Sequence, residues 1–70
     1  MKYAVIIKKT KENYSAYLPD VPGCIAAGDT PEETLKLLTE ALKMHLQGLK
    51  EDGLPVPESA TKADYVEVAV

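Results

Sequence analysis

The stretch DTPEETLKLLTEALKMHLQGLKEDG, Asp29 to Gly53, decides the fold, because it is the one segment long enough and periodic enough to be a helix. At about 100° per residue, Leu35, Leu38, Leu42, Leu46 and Leu49 fall on one side, with Glu33, Lys36, Glu40, Lys43 and Gln47 opposite. Its start is marked several times over. Asp29 or Thr30 suits the N-cap, Pro31 suits the first turn, where no N–H partner is needed, and Glu32 and Glu33 complement the positive end of the helix dipole. Thr30 and Glu33 also have the spacing of a capping box, so Asp29, Thr30 and Glu33 form the expected cap. The spacing predicts a helix from Pro31 to about Lys50, closed by Gly53 and kept from resuming by the two prolines of LPVPES.

Outward from the helix, the chain reads as strands. KYAVIIKK, Lys2 to Lys9, is β-branched and too short for a stable helix; Ala4 and Ile6 lie on one face, Tyr3, Val5 and Ile7 on the other. TKEN is a polar turn, NYSAYLP a second strand in a hairpin with the first, and CIAAG, Cys24 to Gly28, a third. Between the last two, Pro19, Pro22 and Gly23 force a turn. DYVEVAV, Asp64 to Val70, alternates Val66, Val68 and Val70 against Tyr65, Glu67 and Ala69 and reads as a fourth strand. The expected fold is α+β, in the order β-β-β-α-β. It is a single domain over residues 1–70, with a four-stranded mixed sheet, the last strand parallel to the first, and one helix on one face.

Composition narrows the function. Eleven acidic residues face eight lysines and no arginine, a net charge of -3, which is the wrong balance for gripping phosphates. No direct nucleic-acid binding is therefore expected. No run of about 20 apolar residues is present to span a membrane, and the N-terminus lacks a leader pattern, so the chain reads as cytoplasmic. One cysteine gives no disulfide framework, and no Cys/His cluster has zinc spacing. Association with another chain is the remaining common aid for a domain this small.

The candidate chemistry is thin. Cys24 has no cationic neighbour in sequence to lower its pKa, and Asp20 and Asp29 on either side would raise it. Helix capping accounts for Asp29, Glu32 and Glu33 without a metal, and Asp20 is expected to brace its own turn. His45 falls within the apolar arc with no acid–base partner. No enzyme, cofactor or metal is expected. The apolar arc, widened by Leu37, Ala41 and Met44 to about 200°, exceeds the ~100° needed to sit on a sheet. Tyr3, Val5, Ile7, Leu37, Met44 and His45 are accordingly the expected interface residues, in a homodimer or larger even homo-oligomer or against a partner.

The run YSAYLPDVPGCIAAGDTPEETLKLLTEALKMHL, with the later LKEDGLPVPES, resembles the HicB-like antitoxin family over nearly the whole chain. The words that carry the likeness are Pro-Asp-x-Pro-Gly-Cys at Pro19 to Cys24, Gly28-Asp29-Thr30 with Glu32-Glu33, and Asp52-Gly53-x-Pro-x-Pro. The resemblance implies a partial RNase H-like fold of a type II toxin–antitoxin system. It also implies a protein that binds and silences a HicA-like toxin, a small basic protein that cleaves messenger RNA. Many relatives carry a DNA-binding segment after this domain; the chain stops at Val70, so none is expected here. RNase H-like nucleases need a carboxylate on the first strand to hold catalytic metals, and YAVII has none. The alternative reading is an orphan oligomeric HicB-like protein with a small-ligand-binding or scaffolding role.

Overall fold

A computed structural model describes residues 1–70. Three strands, β1 (Ile6–Lys9), β2 (Tyr14–Tyr17) and β3 (Ile25–Gly28), precede one helix, α1 (Pro31–Glu51). The strands form an antiparallel meander in the order β1-β2-β3, with Ile6 opposite Tyr17 and Tyr17 opposite Ile25.

β1 pairs over a shorter span than the apolar run from Lys2 predicts. Beyond the Ile6–Tyr17 pair the partner chain is Leu18-Pro19, where the Leu18 N–H turns to the Cys24 carbonyl at 3.4 Å and Pro19 has none to give. Tyr3 and Val5 still pack on the core, so this segment contributes side chains but no ladder.

The β2–β3 connection is a double turn. Val21 N–H donates to the Leu18 carbonyl at 3.1 Å and Cys24 N–H to the Val21 carbonyl at 3.2 Å. In the second turn Pro22 precedes Gly23 at φ 83°, the arrangement of a type II turn, whose third residue must be left-handed. The turn folds Val21 inward, and with Ala16, Leu18, Cys24 and Leu38 it makes the apolar core; Thr34 is the only buried polar residue.

Thr30 is the N-cap of α1, its hydroxyl accepting from the Glu33 N–H at 3.0 Å. The Glu33 carboxylate reaches back to the Asp29 N–H at 3.3 Å, so Asp29 enters the cap through its main chain. The helix ends in a Schellman motif: Gly53, at φ 70°, donates to the Lys50 carbonyl at 3.1 Å and Leu54 to that of Leu49 at 2.8 Å.

The expected fourth strand does not form. The sheet has three strands and is wholly antiparallel, and no main-chain to main-chain hydrogen bond involves a residue after Leu54. Side chains hold that segment instead. The Tyr3 hydroxyl donates to the Pro57 carbonyl at 2.5 Å, and the Asp20 carboxylate anchors Ala60 and Thr61. Past that anchor Tyr65, Val66, Val68 and Val70 are exposed.

The radius of gyration, 13.8 Å, exceeds the roughly 11 Å of a compact chain of this size. The exposed segment after Thr61 and the overhang of the helix both contribute. A 21-residue helix is about 31 Å long, whereas a four-residue strand spans about 13 Å, so α1 runs well past the sheet.

Candidate functional site

Helix overhang explains which apolar residues are left outside. Leu38 is buried and Ala41 and Leu42 pack on the core, but Leu46 and Leu49, further along the same stripe, are only half-buried. His45 shares the angular position of Leu38 but is exposed, because the strands have ended before the helix reaches it. On the adjacent flank Leu37 is 40% and Met44 75% exposed. At 100° per residue Glu33, Leu37, Glu40, Met44 and Glu51 fall on one line, so two apolar side chains lie within a row of carboxylates. Lys36, Lys43 and Lys50 form the neighbouring row, roughly a quarter turn round the helix, so Lys36 and Lys43 flank Glu40.

Charge is divided along the chain in the same sense. The first nineteen residues hold Lys2, Lys8, Lys9 and Lys11 against Glu12 alone; the remaining ten acids face four lysines. The helix flank belongs to the acidic part.

The sheet buries one face and leaves the other open. Directly opposed residues share a face, so Ala16 and Ala26 lie on the helix side while Ile6, Tyr17 and Ile25 form a row across the outside. Ile25 is 70% exposed and Tyr17 44%. Of the expected interface residues, Tyr3 and Val5 are turned inward onto the core, and Ile7, 40% exposed, sits on the edge strand. Their outward places are taken by Ala4 and Ile6.

Asp20 has a different task from the expected one. Main-chain bonds make the turn, and the carboxylate reaches across the chain: one oxygen accepts from the Thr61 hydroxyl at 2.7 Å, the other from the Thr61 and Ala60 N–H groups, both at 2.9 Å. These donors, Thr61 first, hold its pKa below the usual carboxylate value. No signal at turn range could have revealed a partner forty residues away.

Cys24 belongs to the core, and burial pushes its thiol pKa up, away from the thiolate a nucleophile needs. It and His45 line no common cavity. No helix is long and apolar enough to cross a membrane.

The surface therefore offers apolar area and acidic side chains, the means of binding another protein. The chain belongs to the HicB-like antitoxin family: residues 3–69 match the family described as the HicB-like antitoxin of bacterial toxin–antitoxin systems. An uncharacterised 14.9 kDa protein of Haemophilus phage HP1 is 38% identical over 66 residues, covering 94% of this chain and 50% of its own length. The Photorhabdus laumondii protein named Antitoxin HicB 2 is 32% identical over 69 residues, covering 97% of this chain and 50% of its own. The chain thus spans about half the length of these two relatives. A shorter Synechocystis protein of the UPF0150 group is 35% identical, and the match covers 72% of it. Among solved structures, a chain of the HicA3 and HicB3 toxin–antitoxin complex superposes with a TM-score of 0.70 at 35% identity, covering 86% of this chain and 70% of that one.

Proposed function

We propose that this chain is an antitoxin domain that binds a HicA-type toxin and silences its RNA cleavage by covering it, with no chemistry of its own. The likeness to a chain of the HicA3 and HicB3 complex carries this reading, since it joins 35% identity to a shared fold. The contact surface proposed is the α1 flank of Leu37 and Met44, with His45 beside it and Glu33, Glu40 and Glu51 as an acidic rim. A small basic protein suits such a rim, because complementary charge speeds encounter and fixes orientation while the apolar pair supplies the buried centre. The acidic balance of residues 20–70 supports binding of protein rather than nucleic acid. The Ile6, Tyr17 and Ile25 row and the exposed residues after Thr61 remain over, and this remainder supports an even homo-oligomer.

The test uses a purified HicA-type toxin, a labelled RNA and the purified chain. Cleavage should fall to background at equimolar chain. Leu37→Glu together with Met44→Glu should weaken inhibition at least tenfold, with the fold unchanged because both sites are exposed. Undiminished cleavage at a large excess of chain would defeat the antitoxin reading. Full inhibition by the double variant would move the contact elsewhere.

A further inference from the structure

We infer that α1 pairs antiparallel with α1 of a second copy along the seam Leu37, Ala41, Met44 and Gly48, and that the half of each helix without a sheet beneath it lies beside the other copy's sheet. The four residues recur at intervals of four, three and four, the spacing that keeps one helix in contact with another. They lie on a flank that the chain's own fold leaves largely unused. Leu37 and Met44 are exposed, and Ala41 is half-buried at the margin of the core. Gly48 has open space where a Cβ would stand, and its φ is not positive. A glycine within a helix weakens it relative to alanine, and nothing in this chain requires one here. Close approach of a second helix does.

The seam is complementary to itself in one orientation. Turned antiparallel, with Leu37 level with Gly48 of the second copy, Ala41 comes level with Met44, so each large side chain meets a small one. The charged rows beside the seam agree with this. Glu40 falls between Lys43 and Gln47 of the second copy, each within about 3 Å of level at 1.5 Å per residue. At the ends Glu33 meets Glu51 with Lys50 beside it. A parallel pair would set Leu37 on Leu37, leave a gap at Ala41 and Gly48, and oppose Glu33 to Glu33 and Glu40 to Glu40.

The overhangs fit as well. The two-fold axis of the pair passes level with Leu42 and Lys43, which is where α1 leaves its own sheet: Leu42 packs on the core and His45 is exposed. Beyond the axis each helix has no sheet of its own to carry it, and the second copy's sheet lies at that level. The two domains therefore do not collide, and His45, on the sheet side of the seam, faces the second copy instead of water. The contact is isologous and closes as a dimer. Because this flank is the one proposed to meet the toxin, pairing keeps it covered until a toxin displaces the second copy. That consequence rests on the proposed toxin contact; the pairing does not.

The experiment begins with the chain alone. In a Cys24→Ala background, Met44→Cys should oxidise to a covalent dimer at least ten times faster than Leu37→Cys. The two residues 44 stand about 4.5 Å apart along the helix axis and the two residues 37 about 16.5 Å. Sedimentation of the wild type from micromolar to submillimolar concentration should show a dimer, weakened at least tenfold by Gly48→Leu, although that change favours the helix and meets no atom of its own chain. A wild type that stays monomeric, a dimer indifferent to Gly48→Leu, or equal oxidation at 37 and 44 would overturn the pairing. An added HicA-type toxin should slow the Met44→Cys cross-link at least tenfold. A toxin that co-sediments with the chain and leaves that rate unchanged would overturn the exclusion while the pairing stands.

Discussion

Gly28 and Thr34 meet so closely that a methyl group in place of the glycine hydrogen would stand 2.9 Å from the Thr34 hydroxyl oxygen and 3.1 Å from its amide nitrogen. Thr34 is fully buried, its hydroxyl donating to the Thr30 carbonyl at 2.7 Å. The first turn of α1 thus rests on the end of β3 at a point where only a residue without Cβ fits. Gly28→Ala should cost about 1–3 kcal/mol, since the obstructing atoms include main chain that cannot swing away. Urea unfolding should show a lower midpoint at unchanged slope, and Thr34→Ala should recover part of the loss in the double variant. An unaltered midpoint would mean that the helix does not dock so closely.

The N-terminal cap separates its two polar residues. Thr30→Ala removes the hydroxyl that accepts from Glu33 and should cost about 1 kcal/mol. Asp29→Ala keeps the main-chain N–H that the Glu33 carboxylate uses, so its effect should be the smaller. Chemical denaturation of the two single variants gives the comparison, and equal losses would contradict the geometry.

Acid should release the segment held by Asp20. Its pKa is lowered in the folded chain by the Thr61 hydroxyl and the Thr61 and Ala60 N–H groups, so its contribution is fully present above the unfolded value near 3.9 and is lost as pH falls through the folded value. Hydrogen exchange at Ala60 and Thr61, corrected for the intrinsic rate, should accelerate below about pH 4 while the Leu38 amide stays protected. Asp20→Ala should show the accelerated exchange at neutral pH and an increased rate of proteolysis around residues 57–63. Unchanged protection in that variant would show that the anchor does not hold the segment.

Cys24 should report opening of the core. The residue is 4% exposed, and burial raises the pKa of its thiol, so a thiol reagent at pH 8 should react with the native chain at least tenfold more slowly than with the urea-unfolded chain. Fast reaction in the absence of denaturant would place the thiol at the surface.

The helix was legible because capping and termination are local: Thr30, Pro31 and Glu33 lie within one turn, and Gly53 acts where it stands. The hairpins were legible for the same reason. Two features were not. Periodicity treats a helix as endlessly accompanied, so it could place His45 with Leu38 on the wheel but could not say that the strands stop short of it. Alternation likewise marks residues 64–70 as strand-forming without saying whether an edge lies within reach, and the side-chain anchor at Asp20 decides where that stretch runs. The family motifs were carried by turn and cap residues whose geometry is local, whereas exposure of the Leu37 and Met44 flank depends on the sheet's width.

The anchoring of residues 57–61 also orders the events of folding. The meander is joined by short connections, and α1 follows β3 after two residues, so these contacts close small loops and can form early. Seating Thr61 on Asp20 instead closes a loop spanning 41 positions, and it requires the turn at residues 18–24 to be standing already. A ribosome that has delivered the chain through Gly53, with its exit tunnel cleared, has supplied every buried residue of the core. The helix flank proposed to meet the toxin is then in place before the anchored stretch has been made.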